Sequence, residues 1–75
     1  MTCSCRLHTI PQDKVEELLD YCYRSQQKDD TFRFRIEREN DKLKYIIIQC
    51  PDKDVAYKRG VLLHSRFGVF FEVER

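Results

Sequence analysis

The chain of 75 residues is long enough for one domain with one small hydrophobic core. Its 14 Lys and Arg residues against 13 Asp and Glu residues give a formal net charge of +1, which excludes a strong overall attraction to nucleic acid or to an anionic membrane. Hydrophobic residues make up 41% of the chain and charged residues 36%, a balance that indicates a folded domain and excludes a disordered segment. We therefore interpret residues 1–75 as a single compact domain.

The N-terminal sequence and the cysteines bear on the cellular compartment. The first residues lack the basic and apolar regions of a secretory signal, and no apolar run reaches the length of a membrane span. We therefore expect a soluble protein of the cytoplasm, with no membrane partner. In a reducing compartment the four cysteines are expected to be thiols rather than disulfides. They are Cys3, Cys5, Cys22 and Cys50.

The first predicted elements are a strand over residues 3–10 and a helix over residues 11–27. Polar and less polar side chains alternate in the first segment, which is typical of a strand. The sequence Thr9-x-x-Gln12 fits a helix capping box, and Pro11 is tolerated in a first helical turn. Apolar side chains then recur at helical spacing, at Val15, Leu18, Leu19 and Cys22.

A hairpin of two strands is predicted in the middle of the chain. Phe32, Phe34 and Ile36 alternate with charged residues, so the first of these strands has one dry and one wet face. Residues 39–42 are turn formers, and residues 43–50 follow as the antiparallel partner strand.

The second strand of this hairpin is apolar on both faces. Ile46 and Ile48 point to one side of a strand, whereas Tyr45 and Ile47 point to the other. Both sides therefore need a cover. In so short a chain, the second cover is expected to come from a partner.

The segment of residues 52–68 fits a helix better than a strand. Small and apolar residues share one helical face, and Gly68 suits the helix end. A last strand follows, with Val69, Phe71 and Val73 on one side. The alternative makes residues 61–65 a strand, which gives the order β-α-β-β-β-β with a C-terminal hairpin. The residues of the helical face are Ala56, Gly60, Leu63 and Phe67.

The favoured order is strand, helix, strand, strand, helix, strand. This order predicts the α+β class and a ferredoxin-like split βαββαβ sandwich, in which two helices cover one face of a four-stranded antiparallel sheet. The first and third strands are central in that arrangement, which suits the doubly apolar third strand. The fold alone implies no function.

The motif Cys3-x-Cys5-x-x-His8 contains residue types that bind zinc or copper. On a strand, however, His8 points away from the two cysteines, so a thiol or metal site is the least favoured alternative. No glycine-rich phosphate loop or nucleophile motif occurs in the sequence. We therefore predict no catalytic residue and no cofactor, and we favour a protein that is not an enzyme.

The uncovered sheet face is the predicted functional surface. Tyrosine, phenylalanine and arginine are the side chains enriched at protein interfaces, so we expect a regulatory adaptor or inhibitor that binds a protein through this face or an edge strand. The partner is another protein or a second copy of this chain, in a homodimer. Binding of RNA or single-stranded DNA on the same face is the alternative. The candidate contact residues are Arg33, Arg35, Tyr45, Ile47 and Phe70.

Overall fold

The computed structural model describes residues 3–74 of the chain. This part contains two α-helices and a four-stranded antiparallel sheet, which confirms the α+β class. Neither helix in it is both long and apolar enough to cross a membrane. The elements are β1 Cys3–His8, α1 Val15–Lys28, β2 Arg33–Glu39, β3 Lys42–Cys50, α2 Lys53–Phe67 and β4 Phe70–Glu74, with a 3-10 turn over Gln12–Lys14.

The strands lie in the order β2-β3-β1-β4, so β3 and β1 are central and β2 and β4 are the edges. Both helices contribute to one hydrophobic core: Leu18 of α1 and Leu63 of α2 are buried in the same cluster as the inward side chains of the sheet. One face of the sheet is thereby covered. The opposite face carries no helix within residues 3–74.

The two central strands supply most of the sheet side of the core. Burial alternates along both, as the period of two predicts. Ile46 and Ile48 are fully buried, whereas Ile47 between them is half-buried on the other face. The inward residues of these strands are Cys3, Cys5, Leu7, Ile46, Ile48 and Cys50.

The predicted capping box at the start of α1 is wrong. Thr9 has a positive φ of 53°, and its hydroxyl lies 3.0 Å from Nδ1 of His8. Pro11 is extended, and a 3-10 turn follows in which the N–H of Lys14 donates to the carbonyl of Pro11 at 3.0 Å. This turn takes up the predicted first helical residues, so α1 begins only at Val15. The predicted first strand is shorter too, since β1 ends at His8, directly before the positive φ of Thr9.

The predicted turn between β2 and β3 is confirmed. Asn40 and Asp41 both have positive φ, of 54° and 64°, which is the signature of a two-residue type I′ hairpin. The register then moves from Glu37 opposite Tyr45 to Arg38 opposite Leu43, so that Lys44 is an extra residue. This β-bulge lets Leu43 contact the core while Tyr45 lies on the other face.

The segment of residues 53–67 is a helix, so the alternative with a C-terminal hairpin is wrong. The side chain of Asp52 accepts a hydrogen bond from the N–H of Val55 at 2.9 Å and caps the start of α2. Gly68, with φ of 73°, ends the helix in the left-handed conformation. Both ends of α2 therefore have a local cause in the sequence.

Gly60 lets α2 approach β4 closely. A Cβ atom at this position would overlap the ring of Phe71, whose side chain packs against the core. The glycine is therefore needed for space, since its backbone is ordinary helix.

We expect Gly60→Ala to lower the free energy of unfolding by about 1 kcal/mol. Overpacking costs about 1–3 kcal/mol, whereas alanine gains only about 1 kcal/mol over glycine in a helix. Urea unfolding followed by circular dichroism measures the difference. In a Phe71→Leu background the loss should shrink, and a stabilising Gly60→Ala would show that the two elements are not in tight contact.

Candidate functional site

The face of the sheet opposite the helices is the candidate site, and we call it the open face. Its side chains are those that alternate with the buried ones along each strand. The open face consists of Arg33, Arg35 and Glu37 of β2; Tyr45, Ile47 and Gln49 of β3; Ser4, Arg6 and His8 of β1; and Phe70, Glu72 and Glu74 of β4.

The strand register arranges this face in rows. In the middle row Arg35 lies opposite Ile47, Ile47 opposite Arg6, and Arg6 opposite Glu72. The next row follows the same order of charge. It contains Arg33, Gln49, Ser4 and Glu74. In these two rows, therefore, basic side chains stand at the β2 edge of the open face and acidic ones at the β4 edge.

Arg6 occupies the centre of the open face and is held on two sides. A terminal nitrogen of its guanidinium lies 2.6 Å from a carboxylate oxygen of Glu72 and 3.2 Å from one of Glu74. The guanidinium carbon lies 5.0 Å from the ring centre of Tyr45, in a cation–π contact. Its Nε is buried and has no hydrogen-bond partner in the described chain, so Arg6 is held through its terminal nitrogens.

The five predicted contact residues do not form one patch. Arg33, Arg35 and Ile47 do come together, and with Ser4, Phe34 and Gln49 they line a depression of about 250 Å³. Tyr45 lies farther along β3, where Arg6 and Lys44 both make cation–π contacts with its ring.

Phe70 lies apart from the other predicted contacts, at the opposite edge of the sheet. Its ring is 52% exposed and packs beside two histidine rings, with centroids 6.4 Å from His8 and 5.2 Å from His64. Strand β1 separates it from Ile47 on β3.

The structure does not bring Cys3, Cys5 and His8 together. Both cysteines are buried in the core, whereas His8 lies on the open face and its Nδ1 is paired with Thr9. No cluster of three or more potential metal ligands occurs among residues 3–74. All four cysteines are free thiols, and burial raises the pKa of both Cys5 and Cys22 to about 12. Cys5 and Cys22 are therefore packing residues rather than activated nucleophiles.

We expect Cys5 and Cys22 to resist alkylation in the folded protein. A pKa raised from 9.0 to about 12 reduces the thiolate fraction near neutral pH by about a thousandfold, and burial also blocks the reagent. Iodoacetamide labelling followed by peptide mass spectrometry measures the rate at each site. The same protein in urea is the control and should react quickly. Rapid labelling of Cys5 without loss of structure would mean that the thiol is accessible.

Sequence reasoning missed a polar cluster centred on Arg59 of α2. One terminal nitrogen of its guanidinium lies 3.0 Å from a carboxylate oxygen of Asp29 and 3.1 Å from the hydroxyl of Thr31. The group also lies over the ring of Phe32, and its other terminal nitrogen lies 3.5 Å from the sulfur of Cys50. The cluster links α2 to the loop that follows α1, so its first role is structural.

The carboxylate of Asp29 accepts two hydrogen bonds from Thr31, from the hydroxyl at 2.7 Å and from the backbone N–H at 2.9 Å. These bonds, together with the charge of Arg59, hold the pKa of Asp29 below its ordinary value of 3.8. The sequence Asp-x-Thr could have indicated the loop motif. It could not indicate Arg59, which lies 30 residues away.

We expect the stability that Asp29 contributes to depend on pH. Because its pKa is lower in the folded chain, this contribution is complete above about pH 4 and is lost as the pH falls through the folded pKa. Asp29→Asn should therefore be less stable than the wild type in urea at neutral pH, by an amount that shrinks in acid. The matched control is Asp30→Asn at the neighbouring exposed position. A stability difference that does not change with pH would exclude this linkage.

The outer side of α2 exposes apolar side chains that the sequence analysis did not single out. Tyr57, Val61 and Leu62 are 60%, 42% and 44% exposed. Tyr57 and Val61 lie one helical turn apart, and the ring of Tyr57 also packs edge-on against Phe71. This surface is separate from the open face, since α2 lies on the covered side of the sheet.

A scan of protein-family models and searches of curated proteins and of solved structures found no match to this chain.

Proposed function

We propose that this chain is a small non-catalytic protein-binding module, a regulatory adaptor or inhibitor, that engages another protein through the Arg33–Arg35 end of its open face. One observation carries the proposal: the guanidinium groups of Arg33 and Arg35 on the edge strand β2 line the same depression as the half-buried Ile47 of β3. Arg33 makes no ion pair within residues 3–74, and Arg35 approaches only Glu37, at 3.9 Å. Arginines beside an apolar centre are typical of interface hot spots.

The shape of the depression favours one side chain of a partner protein. Its volume of about 250 Å³ is below the range of about 300–1,000 Å³ that is usual for small-molecule sites. Two guanidinium groups at its rim favour a carboxylate, which either can bind with two parallel hydrogen bonds. Ile47 offers an apolar contact to the stem of that side chain. A glutamate or aspartate on the partner therefore suits this site.

A protein suits the open face better than RNA or single-stranded DNA. Arg6 is already paired with Glu72 and Glu74, and these acids would repel a phosphate backbone. The ring of Tyr45 lies under Arg6 and Lys44, so it is not free to stack on a base. Among the described residues the nucleic-acid alternative thus lacks a basic track, and the exposed ring of Phe70 lies on β4 beside Glu72, away from Arg33 and Arg35.

We also propose that the fold is the ferredoxin-like split βαββαβ sandwich and that the protein works in the cytoplasm. The order of elements and the central positions of β1 and β3 support the fold. Four free, buried thiols support a reducing compartment.

The test compares Arg33→Gln/Arg35→Gln with wild type in affinity capture followed by quantitative mass spectrometry. A charge-matched control, Lys53→Gln/Lys58→Gln, changes exposed residues of α2. We expect at least one captured protein to fall about tenfold or more with the site variant and to stay unchanged with the control. Its affinity is then measured with purified protein.

Equal recovery of every protein by wild type and the site variant would contradict the proposal. Recovery that disappears after nuclease treatment, with affinity that falls steeply as salt rises, would favour the nucleic-acid alternative instead.

A further inference from the structure

The charged side chains at alternate positions 33, 35, 37 and 39 of β2 form a pattern that is antisymmetric about Ile36, whereas Arg38 points to the other side of the strand and lies outside this pattern. The strand reads Arg-Phe-Arg-Ile-Glu-Arg-Glu, with Ile36 at the centre. Arg35 and Glu37 flank this centre, and Arg33 and Glu39 stand at the two ends. Because β2 is an edge strand, its outer backbone groups have no neighbouring strand within the described sheet.

The backbone of β2 shows which residues face outward. The N–H of Phe34 donates to the side-chain amide oxygen of Gln26 in α1, at 3.4 Å, so it points away from β3. The two-residue turn makes Glu39 and Lys42 a hydrogen-bonded pair at the end of the hairpin. The N–H and carbonyl groups of Glu39, and of every second residue before it in β2, therefore point toward β3. Ile36 therefore presents both its N–H and its carbonyl to the outside.

An antiparallel pairing of two β2 strands about Ile36 satisfies both the backbone and the charges. The two Ile36 residues would exchange a pair of hydrogen bonds, as in any closely bonded antiparallel pair. Arg35 would lie opposite Glu37 of the second copy, and Arg33 opposite Glu39. Each of these contacts occurs twice by symmetry, and opposite charges directly across a ladder are stabilising.

We propose that two copies of this chain associate through β2, in antiparallel register about Ile36, to form one continuous sheet. The strand that pairs with this edge thus belongs to a second copy of the chain. The inference goes beyond binding through the open face, and it places the two open faces side by side on one surface. In the dimer Arg33 and Arg35 pair with glutamates of the second copy, so a carboxylate of a partner protein would compete with the second copy for these two side chains. In a single copy the side-chain oxygen of Gln26 accepts a hydrogen bond from the outward N–H of Phe34. In the dimer the second strand would take the place of Gln26 as the acceptor.

Other pairings bring like charges together. Moving the centre to Phe34 places Arg33 opposite Arg35, and moving it to Arg38 places glutamates opposite each other. A parallel pairing in register sets every charge against its own kind. The β4 edge gives no such pairing: centred on Glu72 it sets the two copies of that residue face to face, and centred on Phe71 it sets Phe70 opposite Glu72 and forms no ion pair. Of the pairings compared, only β2 centred on Ile36 sets arginines opposite glutamates with no like-charge pair.

Charge exchange between Arg35 and Glu37 tests the proposal. Arg35→Glu alone and Glu37→Arg alone each set like charges opposite one another in the dimer. The double variant Arg35→Glu/Glu37→Arg restores opposite charges with the two residues exchanged, and it keeps the net charge of the wild type. A mixture of the two single variants also restores them, but only in a heterodimer.

Sedimentation equilibrium up to about 1 mM protein at low salt measures the association, because a contact one strand wide is expected to be weak. We expect the wild type to dimerise, each single variant to raise the dissociation constant by about tenfold or more, and the double variant to return to within about threefold of the wild type. An equimolar mixture of the single variants should associate where neither does alone. Lys58→Glu, with the same change in net charge as Arg35→Glu, is the control on α2 and should dimerise normally.

The proposal is overturned if the wild type stays monomeric over this range, or if both the double variant and the mixture fail to associate. A single variant that unfolds is recognised by circular dichroism, and the double variant then decides alone. Ile47→Gln separates this inference from the proposed function, since it should reduce capture of a partner protein and leave the dimer intact.

Discussion

The structure depends on the burial of alternate side chains of the two central strands beneath both helices. Ile46 and Ile48 of β3 and Leu7 of β1 are fully buried there, and each such side chain contributes about 1.5–3 kcal/mol. An exposed ion pair on the other face contributes about 1 kcal/mol at most. The core therefore decides which way the sheet faces, and the side chains of the open face can vary with little effect on stability.

Periodicity predicted most of the fold, because each strand and helix has its own local signal. The alternation around Phe34, the Asn40-Asp41 turn and the left-handed Gly68 all appear where the sequence placed them. The error at Thr9 has a local cause as well: a positive φ and an extended Pro11 replaced the expected cap. The capping propensity of a residue does not predict the backbone conformation that a nearby proline allows.

Side chains that meet from distant segments were beyond such reasoning. The pairing of Arg59 with Asp29 depends on where α2 lies relative to the loop after α1, which no short pattern encodes. The separation of Phe70 from Ile47 likewise depends on the order of the strands. The sheet face on which each residue lies was enough to choose the candidate surface. The pairing and register of the strands were needed to show which residues on that surface are neighbours.

The bulge at Lys44 has a consequence for the shape of the open face. A bulge increases the right-handed twist of the strand pair that contains it. The hairpin end of β2 and β3 is therefore rotated relative to the end that carries Arg33, and the surface is a saddle rather than a plane. An elongated partner segment laid on a saddle makes its longest contact along a diagonal, so it would cross several strands instead of following one.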